Sequence, residues 1–309
     1  MISTNKMITA KSCSRLLKTK ILGLELNNPI LIASGPLTDT KYQISRAFDA
    51  GVGGIVTKTI YAGKRTKTSE LTKNIDFGLL NSTTYSFRSL NEWIPDLIEY
   101  EESKLPIVVS IHAETPDMLG ALAHKIANIC SFPLELGISC PHDGENHLLT
   151  ASTIENYIKA VQTKVDRKFS VKLSATQNLA HIVEAVISKN ADAISLSDTL
   201  PGIQIDSNNL LITGGIAGYS GEGIKPIVQS AIYQIRKRRY TIPIFGIGGI
   251  KSTKDVLDYI RLGSTAIQIY SGIVKSGYSL ISNIIEELEK FCQTNKVSAP
   301  LLVNSFYEK

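Results

Sequence analysis

This chain of 309 residues is short of several things, and each shortage narrows its chemistry. Its four cysteines, at 13, 130, 140 and 292, match neither a disulfide framework nor a metal site in their spacing. With no secretory signal, that usage points to a reducing, cytoplasmic location. No apolar run reaches the length that crosses a bilayer, so no membrane partner is expected. Charge of neither sign is massed: 33 Lys and Arg stand against 28 Asp and Glu, a net +5. The one basic run, Arg236-Lys237-Arg238-Arg239, ends a helical pattern, where it suits the helix dipole. Without a dense basic cluster interleaved with aromatics, nucleic acid is not an expected partner. The N-terminal stretch has no acid and is rich in Lys, Ser and Thr. It reads as a flexible arm over residues 1–15, with a transit peptide as the alternative.

What is present is ordinary for a globular protein, 43% hydrophobic and 20% charged residues. Nothing in the composition divides the chain, so one domain over 1–309 is expected. A loose hairpin at 16–26 is followed by apolar runs at 29–33, 54–57, 106–111, 132–138, 169–173, 191–196, 242–247 and 265–269. Helical periodicity separates them, and a last helix at 280–291 closes the chain. Eight such alternations predict an α/β fold, a (β/α)8 TIM barrel with a short N-terminal hairpin. A doubly wound open sheet is the runner-up. The stretch 61–89 has little periodicity and no evident core, so a long lid-like loop over the active site is predicted there.

In such a barrel the chemistry sits at the C-terminal strand ends. Ser34, Lys58, Cys140, Lys172 and Asp198 all fall there. Cys140 follows the run Glu135-Leu136-Gly137-Ile138-Ser139 and precedes Pro141 and His142. Taken alone, its thiol reads equally well as a small buried hydrophobe. Lys58 and Lys172 lie in apolar runs, where an ammonium needs a polar or anionic partner. A ligand meets that need, and so does an internal ion pair with Glu135 or Asp198. The last two strands end in Gly248-Gly249 and Tyr270-Ser271-Gly272, and Ser220-Gly221 precedes the helix before them. Tight turns would explain a lone GxGG. The set together offers main-chain N–H groups to a phosphate.

Several of these segments in order resemble a known family. They are Asn28-Pro-Ile-Leu-Ile-Ala-Ser-Gly35, Gly54-Ile-Val-Thr-Lys-Thr59, Ile138-Ser-Cys-Pro141, Val171-Lys-Leu-Ser174, Gly221-Glu-Gly-Ile-Lys-Pro226, Ile242-Pro-Ile-Phe-Gly-Ile-Gly-Gly249 and Ala266-Ile-Gln-Ile-Tyr-Ser-Gly272. The chain is similar over 22–287 to the class 1 branch of the dihydroorotate dehydrogenase family. More distantly it resembles the pyrimidine-reducing half of dihydropyrimidine dehydrogenase.

The resemblance implies an FMN-dependent oxidoreductase acting on a CH–CH bond of a small molecule, within pyrimidine metabolism. It implies that Ala33, Ser34, Gly35 and Thr59 line the flavin, and that Lys172 faces its pyrimidine edge. Ser220, Gly221, Gly248, Gly249, Tyr270, Ser271 and Gly272 would hold the phosphate end. Lys58 would lie between flavin and substrate as a catalytic and cofactor-binding residue, and Cys140 would be the general base. It further implies a homodimer and, as in some relatives, an electron-transfer subunit with FAD and an iron–sulfur cluster.

The pocket departs from the family pattern. Asn81 is kept, but the amides expected before Ile138, after Pro141 and at the end of the sixth strand are Gly137, His142 and Asp198. Asn81, His142, Asp198 and Thr199 are therefore the candidate substrate contacts, and a substrate other than orotate is expected. Arg88, in the predicted lid, is a candidate for an anionic tail. A true dihydroorotate dehydrogenase is the alternative. A non-redox phosphate-binding barrel and an inert flavin binder are readings from other classes.

Overall fold

A computed structural model describes residues 14–63, 71–138, 150–175 and 179–308. Eight parallel strands form a closed ring: β1 (Ile30–Ile32), β2 (Gly54–Val56), β3 (Ile107–Ala113), β4 (Leu134–Gly137), β5 (Phe169–Leu173), β6 (Ala193–Leu196), β7 (Ile244–Ile247) and β8 (Ala266–Ile269). Each pairs with its neighbour in sequence. β8 returns to β1 with Ile267 opposite Ile30, and β2 meets β3 with Ile55 opposite Ile107. The predicted (β/α)8 barrel is therefore present.

The strands are buried on both faces, which is why they read as apolar runs and not as alternations. In β1, Ile30 and Ile32 belong to the outer core against the helices, and Leu31 to the barrel interior. The apolar interior is small. Leu31, Val56, Val108, Ala193, Phe245 and Ala266 fill its lower part. The N-terminal hairpin, Thr19–Ile21 paired with Leu24–Leu26, plugs it from below with Ile21, Leu22 and Leu26. Above that plug the interior becomes polar. Ser110, Glu135, Ser170, Ser195 and Gln268 are all 0% exposed.

Helices α1 (Lys41–Asp49), α2 (Leu90–Glu102), α3 (Pro116–Ala127), α4 (Ala151–Gln162), α5 (Leu179–Ser188), α6 (Lys225–Lys237) and α7 (Thr253–Arg261) separate the strands. Several start on a side chain that satisfies a free helix N–H. Thr40 with Gln43 and Ser89 with Glu92 form reciprocal capping boxes, and Ser252 accepts from the Asp255 N–H. Two final helices, α8 (Ser271–Ser276) and α9 (Ser279–Thr294), follow β8.

The stretch 61–89 is not the coreless loop that its weak periodicity predicts. Its described part contains Thr72–Ile75 and Gly78–Asn81, two strands of a four-stranded antiparallel sheet. The other two, Leu200–Gly202 and Ala217–Ser220, come from the excursion after β6. Leu79 and Leu80 are each 1% exposed, so this sheet has a core of its own. The pairing partners lie far apart in sequence, which hides the sheet from local pattern reading. Ala217–Ser220, the stretch leading to Gly221, is thus a strand although its sequence is rich in glycine.

The Phe245→Ala substitution tests the interior plug. Phe245 is fully buried, and a cavity there should cost about 3–5 kcal/mol. A fall in the urea unfolding midpoint is expected, with little change in the slope. A variant as stable as the parent would show that the interior collapses to fill the gap.

Candidate active site

A cavity opens over the C-terminal ends of the barrel strands, beneath the antiparallel sheet, and encloses about 1020 Å³ with its open mouth. On the β1–β2 side its wall is Ala33, Ser34, Gly35, Lys58 and Thr59. The hydroxyls of Ser34 and Thr59 lie 3.1 Å apart, and that of Thr59 lies 2.9 Å from the Ser110 hydroxyl. Gly35 has no side chain because the Tyr270 ring occupies the space beside it. Lys58 is 5% exposed and lines the cavity.

The floor is built by β4, β5, β6 and β8. Lys172 projects from β5 into the cavity, its Nζ 3.8 Å from Glu135 and 3.8 Å from Asp198. Both internal ion-pair partners that the apolar setting of Lys172 demands are thus present. Glu135 is held from below: the Ser195 hydroxyl donates to its Oε2 at 2.6 Å and the Gln268 amide at 3.0 Å. Asp198 accepts the Thr199 N–H at 2.8 Å, which aims its carboxylate along the rim.

The opposite wall carries the glycine-rich ends of β7 and β8. Gly248 and Gly249 line the cavity with φ of +127° and +68°, conformations that favour glycine. Ser220, Tyr270 and Ser271 complete this wall. Salt bridges fasten it from behind. Lys225 pairs with Asp255, and Lys251 pairs with Glu222 at 2.6 Å. Burial pushes the Asp255 carboxyl up, but the Lys225 ammonium, the Lys251 N–H and the Ser252 hydroxyl outweigh it and hold the group below the usual range.

The structure brings together most of the residues expected at the site, including Asn81 and Thr199. Two expected cofactor contacts stand one layer behind. A Cβ on Gly221 would lie 2.6 Å from the Gly78 Cα, so this glycine lets the antiparallel sheet close onto the barrel. Gly272 faces the Ile250 carbonyl and Leu280 and serves packing at the start of α8. Arg88 is not a substrate clamp. It donates to the Asp39 carbonyl at 2.9 Å, pairs with Asp96 at 2.7 Å and lies over the Trp93 ring. The expected base Cys140 and the expected contact His142 lie outside the described residues.

Other lining residues had no distinct signal. Tyr85 lies over Tyr61 and His112, with ring centroids 4.4 and 4.6 Å away. His112 in turn donates from Nδ1 to the Gly137 carbonyl at 2.6 Å. Thr83, Thr84 and Ser197 also line the cavity. Gln268 was detectable by the reasoning applied to Lys172, as a lone amide within Ala266-Ile-Gln-Ile269.

Fold and site together define a (β/α)8 barrel with a polar-walled cofactor pocket at its upper end. The sequence model of the family "Dihydroorotate dehydrogenase" matches residues 16–292, and the chain belongs to that family. Among curated proteins it is similar to the dihydroorotate dehydrogenase B (NAD(+)) catalytic subunits of three archaea. Identity is 30% over 292 residues with that of Thermococcus kodakarensis (92% of this chain, 95% of that protein). With Pyrococcus furiosus it is 30% over 290 residues (92% and 96%). With Methanocaldococcus jannaschii it is 26% over 307 residues (95% and 99%).

The protein is accordingly an FMN-dependent oxidoreductase of the type that acts on CH–CH bonds. The residues present fit that cofactor. Hydroxyls, the Lys58 and Lys172 ammonium groups and the glycine-rich ends of β7 and β8 line one cavity. On its floor the buried Gln268 Oε1 has no hydrogen-bond partner among the described residues and offers itself to a ring N–H. No helix among the described residues is long and apolar enough to cross a membrane.

Asp255→Asn should loosen the wall behind Gly249. Its native carboxyl titrates below the unfolded one, so its stabilisation is complete above the unfolded pKa of about 3.9 and is lost as pH falls through the native value. At pH 7 the variant should be about 2 kcal/mol less stable. The gap between the two proteins, measured by denaturant titration, should close below about pH 4. A gap that persists unchanged into acid would remove the charge from the explanation.

Proposed function

We propose that this protein is the catalytic component of a dihydroorotate dehydrogenase, converting dihydroorotate to orotate. The observation that carries the reading is a family match spanning nearly the whole chain, joined to a polar pocket over the strand ends. Relatives carrying that name cover more than nine-tenths of both partners.

FMN, when bound, supplies the acceptor for the hydride that leaves one carbon of the substrate. The residues proposed to hold it are Ala33, Ser34, Gly35, Thr59, Lys172, Ser220, Gly248, Gly249, Tyr270 and Ser271. Lys58 orients the substrate against it. Cys140 takes the proton from the neighbouring carbon; a thiol with an ordinary pKa of about 8.5 suits that task when held over the carbon. Asn81 and Thr199 face the substrate. The relatives' names, a catalytic subunit and NAD(+), support a partner that carries electrons onward. A homodimer, a cytoplasmic location and one continuous domain are parts of the same proposal.

A second reading keeps the flavin chemistry and changes the substrate. It is favoured by Asp198, a carboxylate on the cavity wall, and by Gly137, which offers no side-chain donor. An acidic, acceptor-rich ring would meet repulsion from Asp198. A ligand presenting N–H donors would not.

Anaerobic titration with dihydroorotate, followed by flavin absorbance, separates the two. Stoichiometric bleaching is expected under the first reading. Colour that persists with dihydroorotate, in protein that dithionite bleaches, would leave the second. Cys140→Ser should slow the bleaching by about 10²–10⁴-fold while the yellow colour is retained. Bleaching at the parent rate would exclude Cys140 as the base.

A further inference from the structure

We infer that Glu135 and Asp198 act through Lys172 to hold the bound flavin at a low reduction potential. The inference rests on the flavin reading above and adds a role for a carboxylate buried beneath the pocket.

Lys172 is the charged side chain on the cavity floor that projects from the barrel interior. Its ammonium has one carboxylate below it and one beside it, each at 3.8 Å. Glu135 is 0% exposed, and its Oε1 has no hydrogen-bond partner among the described residues. That oxygen faces Lys172, while the other is saturated by Ser195 and Gln268. The carboxylate is therefore fixed by strands β4, β6 and β8, independently of any ligand. Both carboxylates thus pair with Lys172, while Lys58 lines the β1–β2 side of the cavity.

A flavin gains negative charge on reduction, and nearby charge sets how readily it does so. A lysine alone at this floor would favour the reduced form. Bracketed by two carboxylates, it favours that form less. The low dielectric around Glu135 makes its part of the effect insensitive to solvent screening. Glu135 is thus a positioning residue: it acts on the cofactor by fixing and offsetting Lys172.

The test is the flavin's midpoint potential in FMN-loaded protein, read by equilibration with a reference dye during slow enzymatic reduction. Glu135→Gln and Asp198→Asn should each shift the oxidised-to-reduced ratio at least tenfold toward reduced, about 30 mV for this two-electron couple. Lys172→Met should shift it the other way. Potentials of both carboxylate variants within threefold of the parent ratio would overturn the inference, and so would a shift toward oxidised. If Glu135→Gln does not fold, Asp198→Asn decides on its own, since Asp198 lies at the cavity surface. Protein that retains no flavin would instead overturn the flavin reading, an outcome told apart by its lack of colour before any variant is made.

Discussion

A lysine side chain set among the strands of a barrel is the constraint on which the upper half of this molecule depends. Lys172 lies on β5, a strand otherwise buried on both faces. An unpaired charge there would cost several kcal/mol, so the interior around it is built polar. Glu135, Ser195 and Gln268 come from three other strands and are fully buried. Their hydrogen bonds tie β4, β6 and β8 together across the barrel. Register follows from the same requirement. A slip of one residue in β4 would turn Glu135 outward into the helix layer and bring Leu134 or Leu136 beneath the pocket. The polar layer thus fixes how the strands align as well as what the floor of the site presents.

The antiparallel sheet above is held to the barrel by contacts of a different kind. Gly78 and Gly221 approach closely enough that neither tolerates a side chain. The Asn81 amide donates to the Gly218 carbonyl at 3.0 Å and stitches the two halves of the sheet together beside the cavity. Farther along, Tyr85 stacks on rings from the end of β3 and the adjoining strand, and Arg88 is bound to Asp96 and the Asp39 carbonyl. Each contact orders a piece of chain that has few buried apolar residues of its own. The cavity therefore has a roof of defined shape, and side chains such as Tyr85 take part in its walls.

Much of this was legible in the chain itself. The alternation of apolar runs with helical periodicity yields the barrel, since two-sided burial leaves continuous apolar strands. A lysine inside such a run announces a buried charge, and both partners proposed for Lys172 are found beside it. What stayed hidden has physical causes. The sheet over 72–81 pairs with strands more than a hundred residues later, and its Thr-Lys-Asn-Ile edge carries no alternation. Glycine is ambiguous in sequence, because a close ligand and a close backbone demand the same absence of a side chain. Gly249 and Gly221 look alike in the chain; Gly221 packs on Gly78, whereas Gly249 lines the cavity and also packs against the Gly221 carbonyl. An arginine in a polar segment is equally ambiguous until its partners are known.

Kinship and pocket chemistry weigh on different parts of the problem. Identity of 30% over 92% of this chain speaks for the family and its fold as a whole. Substrate choice rests on very few side chains. Each hydrogen bond lost from a buried polar ligand weakens binding by about 1–3 kcal/mol, and every 1.4 kcal/mol is about tenfold. If amides at positions 137 and 198 were the donors to orotate, as the family resemblance implies, Gly137 and Asp198 would weaken its binding by about 30-fold or more. A loss of that size leaves fold and cofactor untouched, and an enzyme working at high substrate concentration tolerates it. The same two positions would improve binding for a ligand whose N–H groups point at Asp198. The question of substrate therefore turns on a few side chains, with Asp198 among those that line the wall.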